Sequence, residues 1–271
     1  MTIKSSGSSL SFSEIEAEFG SNGSRSLGSY RLSQSVGSLS NLPLDSGIPT
    51  SGQIKFSDFY GKQLNVVVDC HSGGEETRII AKNSKWNNNN LTVIGGFRSK
   101  KEGGSKIIIN VNKKICSNKD AVDRCALRTG SWDGTATVQI DVGSSGKILG
   151  SGGDGGSGAQ GINNSGSPGS SGTSGLGIDT NNVTVNIASG GIIRAGFGGG
   201  GGGGNNANQA YGASGGSGAN LGGNAGGGGN SQTGGGGAGG NGAAIRRVSG
   251  FTVNINNNGS ITGSTSATGV G

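Results

Sequence analysis

The chain has 271 residues, 62 of them glycine and only 3 proline, with 30% hydrophobic and 4% aromatic residues, so one ordinary apolar core cannot extend through all of it. Charged residues make up 13% with a formal net charge of +6, too dilute and too poor in interleaved aromatics for a nucleic-acid surface. The opening Met1-Thr-Ile-Lys-Ser-Ser-Gly lacks an apolar signal region and no run of about 20 apolar residues could cross a bilayer, so synthesis in a cytoplasm is expected. Unbroken glycine such as 198–204 excludes the proline-rich, three-residue period of collagen.

Three zones follow in chain order: residues 1–61, 62–149 and 150–271. The first is bracketed by two related segments, Leu10-Ser-Phe12-Ser-Glu14-Ile15-Glu-Ala-Glu-Phe19-Gly20 and Ile54-Lys-Phe56-Ser-Asp58-Phe59-Tyr60-Gly61. In the first, Ser13 followed by Glu16 fits a capping box and Gly20 supplies a stop, which predicts a short helix over residues 13–19 with Phe12, Ile15 and Phe19 on one face. The second predicts a single turn ending at Gly61. Residues 24–50, rich in Ser, Gly and Leu, are expected to run extended over a surface. So few apolar residues fall short of a self-sufficient core, and the zone is expected to dock on another chain or on a copy of itself. Phe12, Ile15, Phe19, Phe56, Phe59 and Tyr60 are the candidate docking residues.

In the second zone, Leu64-Asn-Val66-Val-Val68, Thr77-Arg-Ile79-Ile80, Leu91-Thr-Val93-Ile94, Ile107-Ile-Ile109-Asn-Val111 and Thr137-Val-Gln-Ile140-Asp-Val142 are short β-branched runs with Gly, Asn and Ser between them. That spacing predicts a β-sandwich-like middle domain with Trp86, Phe97, Leu127 and Trp132 in its core. Residues 118–127 read as a helical turn or a loop. Lys106, Lys113 and Lys114, with Arg98, Lys100 and Lys101, form the one basic patch, a solvated face or a contact for an anionic polysaccharide. Cys70, Cys116 and Cys125 are too few for a disulfide scaffold; they read as buried free thiols, with a Cys116–Cys125 bridge as the alternative.

The third zone carries an internal repeat. Thr137-Val-Gln-Ile140 is followed by Gly146-Lys-Ile148, Thr184-Val-Asn-Ile187 by Gly191-Ile-Ile193, and Thr252-Val-Asn-Ile255 by Gly259-Ser-Ile261. Each unit predicts a β-hairpin whose alternating Val and Ile share one face. The glycine tracts around 150–158, 165–177, 196–204, 212–218, 222–229 and 234–242 are of similar length, and polyproline II geometry would let glycine strands bond sideways to several neighbours because no Cβ intervenes. The expected object is a polyglycine II helix bundle held by backbone hydrogen bonds. The fold class is therefore mainly β, with a short α-helical docking module, a sandwich-like middle and a C-terminal glycine-helix bundle beside hairpin repeats.

Gly52-Gln-Ile-Lys-Phe56-Ser-Asp-Phe-Tyr-Gly-Lys62 resembles the N-terminal part of structural tail proteins of bacteriophages, cyanobacterial phages especially. The segments Ile107-Ile-Ile-Asn-Val-Asn, Ala126-Leu-Arg-Thr-Gly-Ser-Trp132 and Ile148-Leu-Gly-Ser-Gly-Gly-Asp-Gly-Gly resemble the β part of glycine-rich phage tail fibres. The tracts are similar in style to the distal adhesins of T-even-type phages, whose packed polyglycine helices carry loops that recognise the host surface. The resemblance implies a virion protein with phage tail or baseplate partners, a host-surface polysaccharide or outer-membrane protein as receptor, and a homo-oligomer, trimeric as fibres usually are. Asn206, Asn208, Gln209 and Tyr211, between two tracts, are the candidate receptor-binding residues.

Catalytic chemistry is not indicated. His71 follows Cys70, and neighbours on a strand point to opposite faces, so they cannot form a nucleophile–base pair there. Asp69, Glu75, Glu76, Asp133 and Asp141 are sparse, and Glu75-Glu76 reads as a turn rather than two opposed carboxyls. Asp154 occurs once where a stacked calcium site would need repetition, and no glycine tract continues into a phosphate loop. Neither a cofactor nor a metal is expected. The alternative functions are an ice- or surface-binding polyglycine protein and an elastic or purely structural baseplate or fibre spacer without a receptor role.

Overall fold

In the computed structural model the described residues are 3–20, 25–31, 33–34, 42–43, 47–70, 76–77, 79–80, 106–117, 123–160, 164–203, 226–228 and 235–270. Among these residues the architecture is mainly β, with parallel sheets and one α-helix.

The helix, α1, spans Phe12–Phe19. Its N-cap is Ser11, not Ser13: the Ser11 hydroxyl accepts from the Glu14 N–H, and the Glu14 carboxylate accepts the Ser11 N–H at 2.8 Å. The capping box thus falls two residues before the expected one, which brings Phe12 into the first turn. Gly20 stops the helix at φ 89°, and its N–H closes on the Glu16 carbonyl. The second segment repeats this start as a 3-10 turn, Phe56–Phe59, where Asp58 accepts the Lys55 N–H at 2.7 Å. The two segments pack together, with Phe12 edge-on to Phe56 at 4.9 Å. A further 3-10 turn, Leu27–Arg31, delivers Tyr30, whose hydroxyl donates to the Gly20 carbonyl at 2.9 Å. Strands β1 (Ser33–Gln34) and β2 (Leu42–Pro43) pair antiparallel. Ile3, Ile15, Phe19, Tyr30, Ile48, Phe59 and Leu64 form a buried cluster, so the module has a core of its own. Tyr30 and Ile48 come from the 24–50 stretch expected to run over a surface, and that expectation is corrected at these two positions. Phe59 meets Phe19 and Tyr30 edge to face, and Phe19 and Tyr30 are tilted at 56°.

The remaining strands wind as a solenoid of five coils, three strands to a coil. They are β3 (Asn65–Asp69), β4 (Glu76–Thr77) and β5 (Ile79–Ile80); β6 (Lys106–Val111), β7 (Lys114–Cys116) and β8 (Cys125–Arg128); β9 (Thr137–Val142), β10 (Lys147–Leu149) and β11 (Ser174–Ile178); β12 (Val183–Ile187), β13 (Ile192–Arg194) and β14 (Ile245–Arg247); β15 (Val253–Asn257), β16 (Ser260–Thr262) and β17 (Ala267–Thr268). Each pairs in parallel with the strand three places on, giving sheets ordered β15-β12-β9-β6-β3, β16-β13-β10-β7-β4 and β17-β14-β11-β8-β5.

This topology replaces both the sandwich and the hairpins expected from sequence. The two strands of each repeat do not pair with each other but lie in different sheets. Corners such as 143–146 turn the chain without reversing it: Gly146 N–H closes the turn on the Gly143 carbonyl, while Gly143 N–H reaches the Val111 carbonyl of the preceding coil, as does Lys147 N–H the Lys113 carbonyl. In-register stacking lets like aliphatics sit over like. Ile115, Ile148, Ile193 and Ile261 form one column, and Ile109, Ile140, Val185 and Ile255 another. In the first sheet the middle repeat pairs two residues further along than sequence alignment suggests, Val185 on Ile140 rather than on Val138. A two-residue slip preserves which face is buried. One buried cluster runs from Cys70 to Ile245 and includes Leu127 and Trp132, so the core continues through residue 149. Trp86 and Phe97 lie outside the described residues. The columns open at the last coil, where Val253, Ile255 and Ile261 are only partly buried.

Two long insertions leave the same corner of coils three and four, between β10 and β11 and between β13 and β14. Among the described residues their backbones bond every third residue. The N–H groups of Gly150, Gly153, Gly156 and Ala159 donate to the carbonyls of Arg194, Phe197, Gly200 and Gly203; those of Ser167, Ser170 and Thr173 to Ser157, Asp154 and Ser151; those of Gly196, Gly199 and Gly202 to Thr173, Ser170 and Ser167. Gly236, Gly239 and Gly242 donate to Gly202, Gly199 and Gly196, and Gly169 and Gly172 to Gly237 and Gly240, all within 2.7–3.0 Å. The expected tract at 165–177 ends at Thr173, because the Ser174-Gly-Leu-Gly-Ile segment that follows is β11, buried throughout. The 212–218 tract lies outside the described residues.

Candidate functional site

The proposed docking residues divide by exposure. Ile15, Phe19 and Phe59 are 0% exposed and form the inside of the N-terminal module, so they cannot touch a partner. Phe12, Phe56 and Tyr60 are half-buried at its surface beside Leu10 and Ile54, and the Tyr60 hydroxyl donates to the Ser8 carbonyl. The structure brings the six together as one cluster but leaves only these three available. Glu18, 1% exposed, reaches from α1 to accept the Leu64 N–H at 2.8 Å and ties the module to the start of β3.

Asn206, Asn208, Gln209 and Tyr211 lie outside the described residues. In sequence they follow Gly203, whose carbonyl accepts the Ala159 N–H. His71, Glu75, Arg98, Lys100 and Lys101 also lie outside the described residues.

The segment 126–132, singled out for its resemblance, has a structural task. Arg128 holds Asp179 of the next coil through two contacts, Nε to Oδ2 at 3.1 Å and Nη2 to Oδ1 at 2.7 Å. The same carboxylate accepts the Gly130 N–H, Thr129 Oγ1 accepts the Asp179 N–H, and Trp132 Nε1 donates to the Thr129 carbonyl. This bidentate pair raises the Arg128 pKa further above its ordinary value. The three cysteines are buried and none is in a disulfide, so the Cys116–Cys125 bridge is not formed. Burial pushes the Cys125 thiol up to about 12, which leaves it inert. Among the described residues no group of three metal-ligating side chains occurs and no helix is long and apolar enough to cross a membrane.

Sequence reasoning missed the outward face of the first sheet. Strand alternation sends Val138, Ile140, Val183 and Val185 inward and the residues between them outward. Register then aligns Asn110, Asp141, Asn186 and Asn256 in one row and Ile108, Gln139, Thr184 and Asn254 in the next. Asn256 Nδ2 donates to Asn186 Oδ1 at 2.8 Å, and Asn186 Nδ2 to Asp141 Oδ1 at 2.7 Å. Gln139 Nε2 donates to both Asp141 oxygens at 2.9 and 2.7 Å. Two cavities, of about 380 and 490 Å3, lie along these rows and share Asn186 and Asn256. The legible signal was the third position of each Thr-Val-x-Ile unit, which is Gln, Asn and Asn.

No family model, curated protein or solved structure matches the chain.

Proposed function

We propose that the chain is a non-enzymatic component of a phage tail, a fibre or adhesin subunit that docks through residues 1–61 and meets the host surface through segments carried on a rigid glycine bundle. The observation that carries this reading is the three-residue hydrogen-bond period of the insertions. A β-strand bonds in two directions with period two, whereas the tract 195–203 bonds to the tracts 150–159, 166–173 and 235–243 at once. Three directions with period three are the signature of polyglycine II helices.

In this reading glycine is demanded by sterics. A Cβ on Gly153, Gly169, Gly199, Gly202 or Gly239 would collide with a neighbouring carbonyl, well inside the 3.0 Å that side-chain carbons respect. Such a lattice is a stiff mount, and Asn206, Asn208, Gln209 and Tyr211 follow directly on its central tract, where they would contact a surface polysaccharide or an outer-membrane protein. The virion assignment itself comes from the Phe-Ser-Asp-Phe-Tyr-Gly and Ala-Leu-Arg-Thr-Gly resemblances; docking would use Phe12, Phe56 and Tyr60.

Amide hydrogen exchange on residues 150–243 tests the mount. Protection of the period-three amides supports it, and exchange at coil rates would reduce the insertions to a tether. Deletion of residues 1–61 tests docking through incorporation into particles, which should be lost; unchanged incorporation rejects it.

A further inference from the structure

We infer that the amide rows on the outer face of the first sheet are a binding trough for an extended, uncharged saccharide chain. The site lies on the outer face of the first sheet of the solenoid, and the inference stands whether or not the chain belongs to a virion.

Four observations converge on it. First, two cavities adjoin along β6, β9, β12 and β15, one lined by Asn110 and Asp141, the other by Gln139, Thr184 and Asn254, with Asn186 and Asn256 lining both. Second, the rows are already ordered. The run from Asn256 through Asn186 to Asp141, braced by Gln139, fixes the side chains before any ligand arrives, so little rotamer freedom is lost on binding. Third, Asn110 sits at the floor, 7% exposed, and its Nδ2 has no hydrogen-bond partner. A buried N–H left unmade is costly, and an acceptor on a ligand in this cavity would satisfy it.

The fourth is the chemistry of the lining. Carboxamides and the Thr184 hydroxyl both donate and accept, as sugar hydroxyls do. Asp141 and Lys106 are the charged residues lining the trough, and both Asp141 oxygens are engaged by amides. The lining has no cationic cluster for phosphate or sulfate and no aromatic platform for a base. The rows repeat at the strand spacing of about 4.8 Å, close to the length of one pyranose unit, so successive sugars can meet successive strands in the same manner.

The test is calorimetric titration of the full chain with cellohexaose, maltohexaose and chitohexaose, with dextran sulfate as the anionic probe. The expected result is binding of at least one neutral hexamer, weakened about tenfold or more by Asn186→Ala and by Asn256→Ala, and unchanged by Tyr211→Ala. In the wild-type chain the Asn110 side-chain amide resonance should move during the same titration, a readout that needs no variant to fold. Failure of all three neutral hexamers at millimolar concentration would overturn the inference. So would binding of dextran sulfate alone, a still Asn110 amide, or loss of binding only in Tyr211→Ala, which would put saccharide recognition on the other segment and leave the adhesin reading intact.

Discussion

Alanine at Gly199 and alanine at Gly237 are chemically the same change in the same bundle, yet the lattice predicts opposite outcomes. Gly199 belongs to the central tract: its N–H donates to the Ser170 carbonyl at 2.9 Å and its carbonyl accepts from Gly239 at 2.7 Å. A Cβ there would run into the carbonyl of Asp154, a backbone atom that cannot rotate away. Relief requires the tracts to separate. Overpacking costs roughly 1–3 kcal/mol, and each backbone bond stretched with it about 1 kcal/mol more. At Gly237 a Cβ meets nothing within 4 Å, and the loss of unfolded-state freedom should make alanine neutral or stabilising by about 0.4–1 kcal/mol. For a chain of this size each kcal/mol shifts the melting midpoint by roughly 2–4 °C. Gly199→Ala should therefore melt several degrees lower and lose exchange protection at the amides of Gly153, Gly196 and Gly239. Gly237→Ala should keep both. Equal effects at the two positions would refute a close-packed lattice.

The solenoid core should show its own gradient: Ile140→Ala, at 0% exposure in the middle of a column, should cost about 2–5 kcal/mol, and Ile255→Ala in the open last coil clearly less, as read by denaturant midpoint. Arg128→Ala leaves the nearly buried Asp179 carboxylate without its cation and should cost roughly 3 kcal/mol; full stability of that variant in urea would contradict the clamp. Glu14 is held at about 2, below its ordinary 4.5, first by Lys4 at 2.6 Å and then by the Ser11 N–H and hydroxyl. Its charge therefore favours the fold above pH 4.5, and that contribution fades as pH falls from 4.5 toward 2. Carboxyl NMR titration should find the low value in the native chain and its return toward 4.5 in Lys4→Met. All three cysteines should resist an aromatic disulfide reagent until the chain is unfolded, since each is buried; rapid labelling of the native chain would place a thiol at the surface.

Local rules made parts of this protein legible in its sequence. Helix α1 was recognisable because an acid three residues after a serine, with glycine at the end, satisfies helix ends by contacts within ten residues. The run 137–142 was recognisable because Val138, Ile140 and Val142 alternate with polar residues, a period any half-buried strand imposes. Glycine every third residue in 150–158 already carried the steric rule that the lattice obeys. Partnership was the part that sequence left open. The Val and Ile of the repeats demand a shared face but do not name the strand beside them, and a hairpin satisfies that demand as well as a solenoid does. The choice lay in corners such as 143–146, where Gly143 N–H bonds to Val111 of the neighbouring coil, and in columns such as Ile115, Ile148, Ile193 and Ile261, separated in sequence by two glycine insertions. Buried strands with glycine inside them, as in Ser174–Ile178, have no propensity signal at all. The trough belongs to the same class. Asn110, Asp141, Asn186 and Asn256 are spread over 147 positions of the chain, and only parallel stacking, which sets residues of successive coils at one strand spacing, makes them a row.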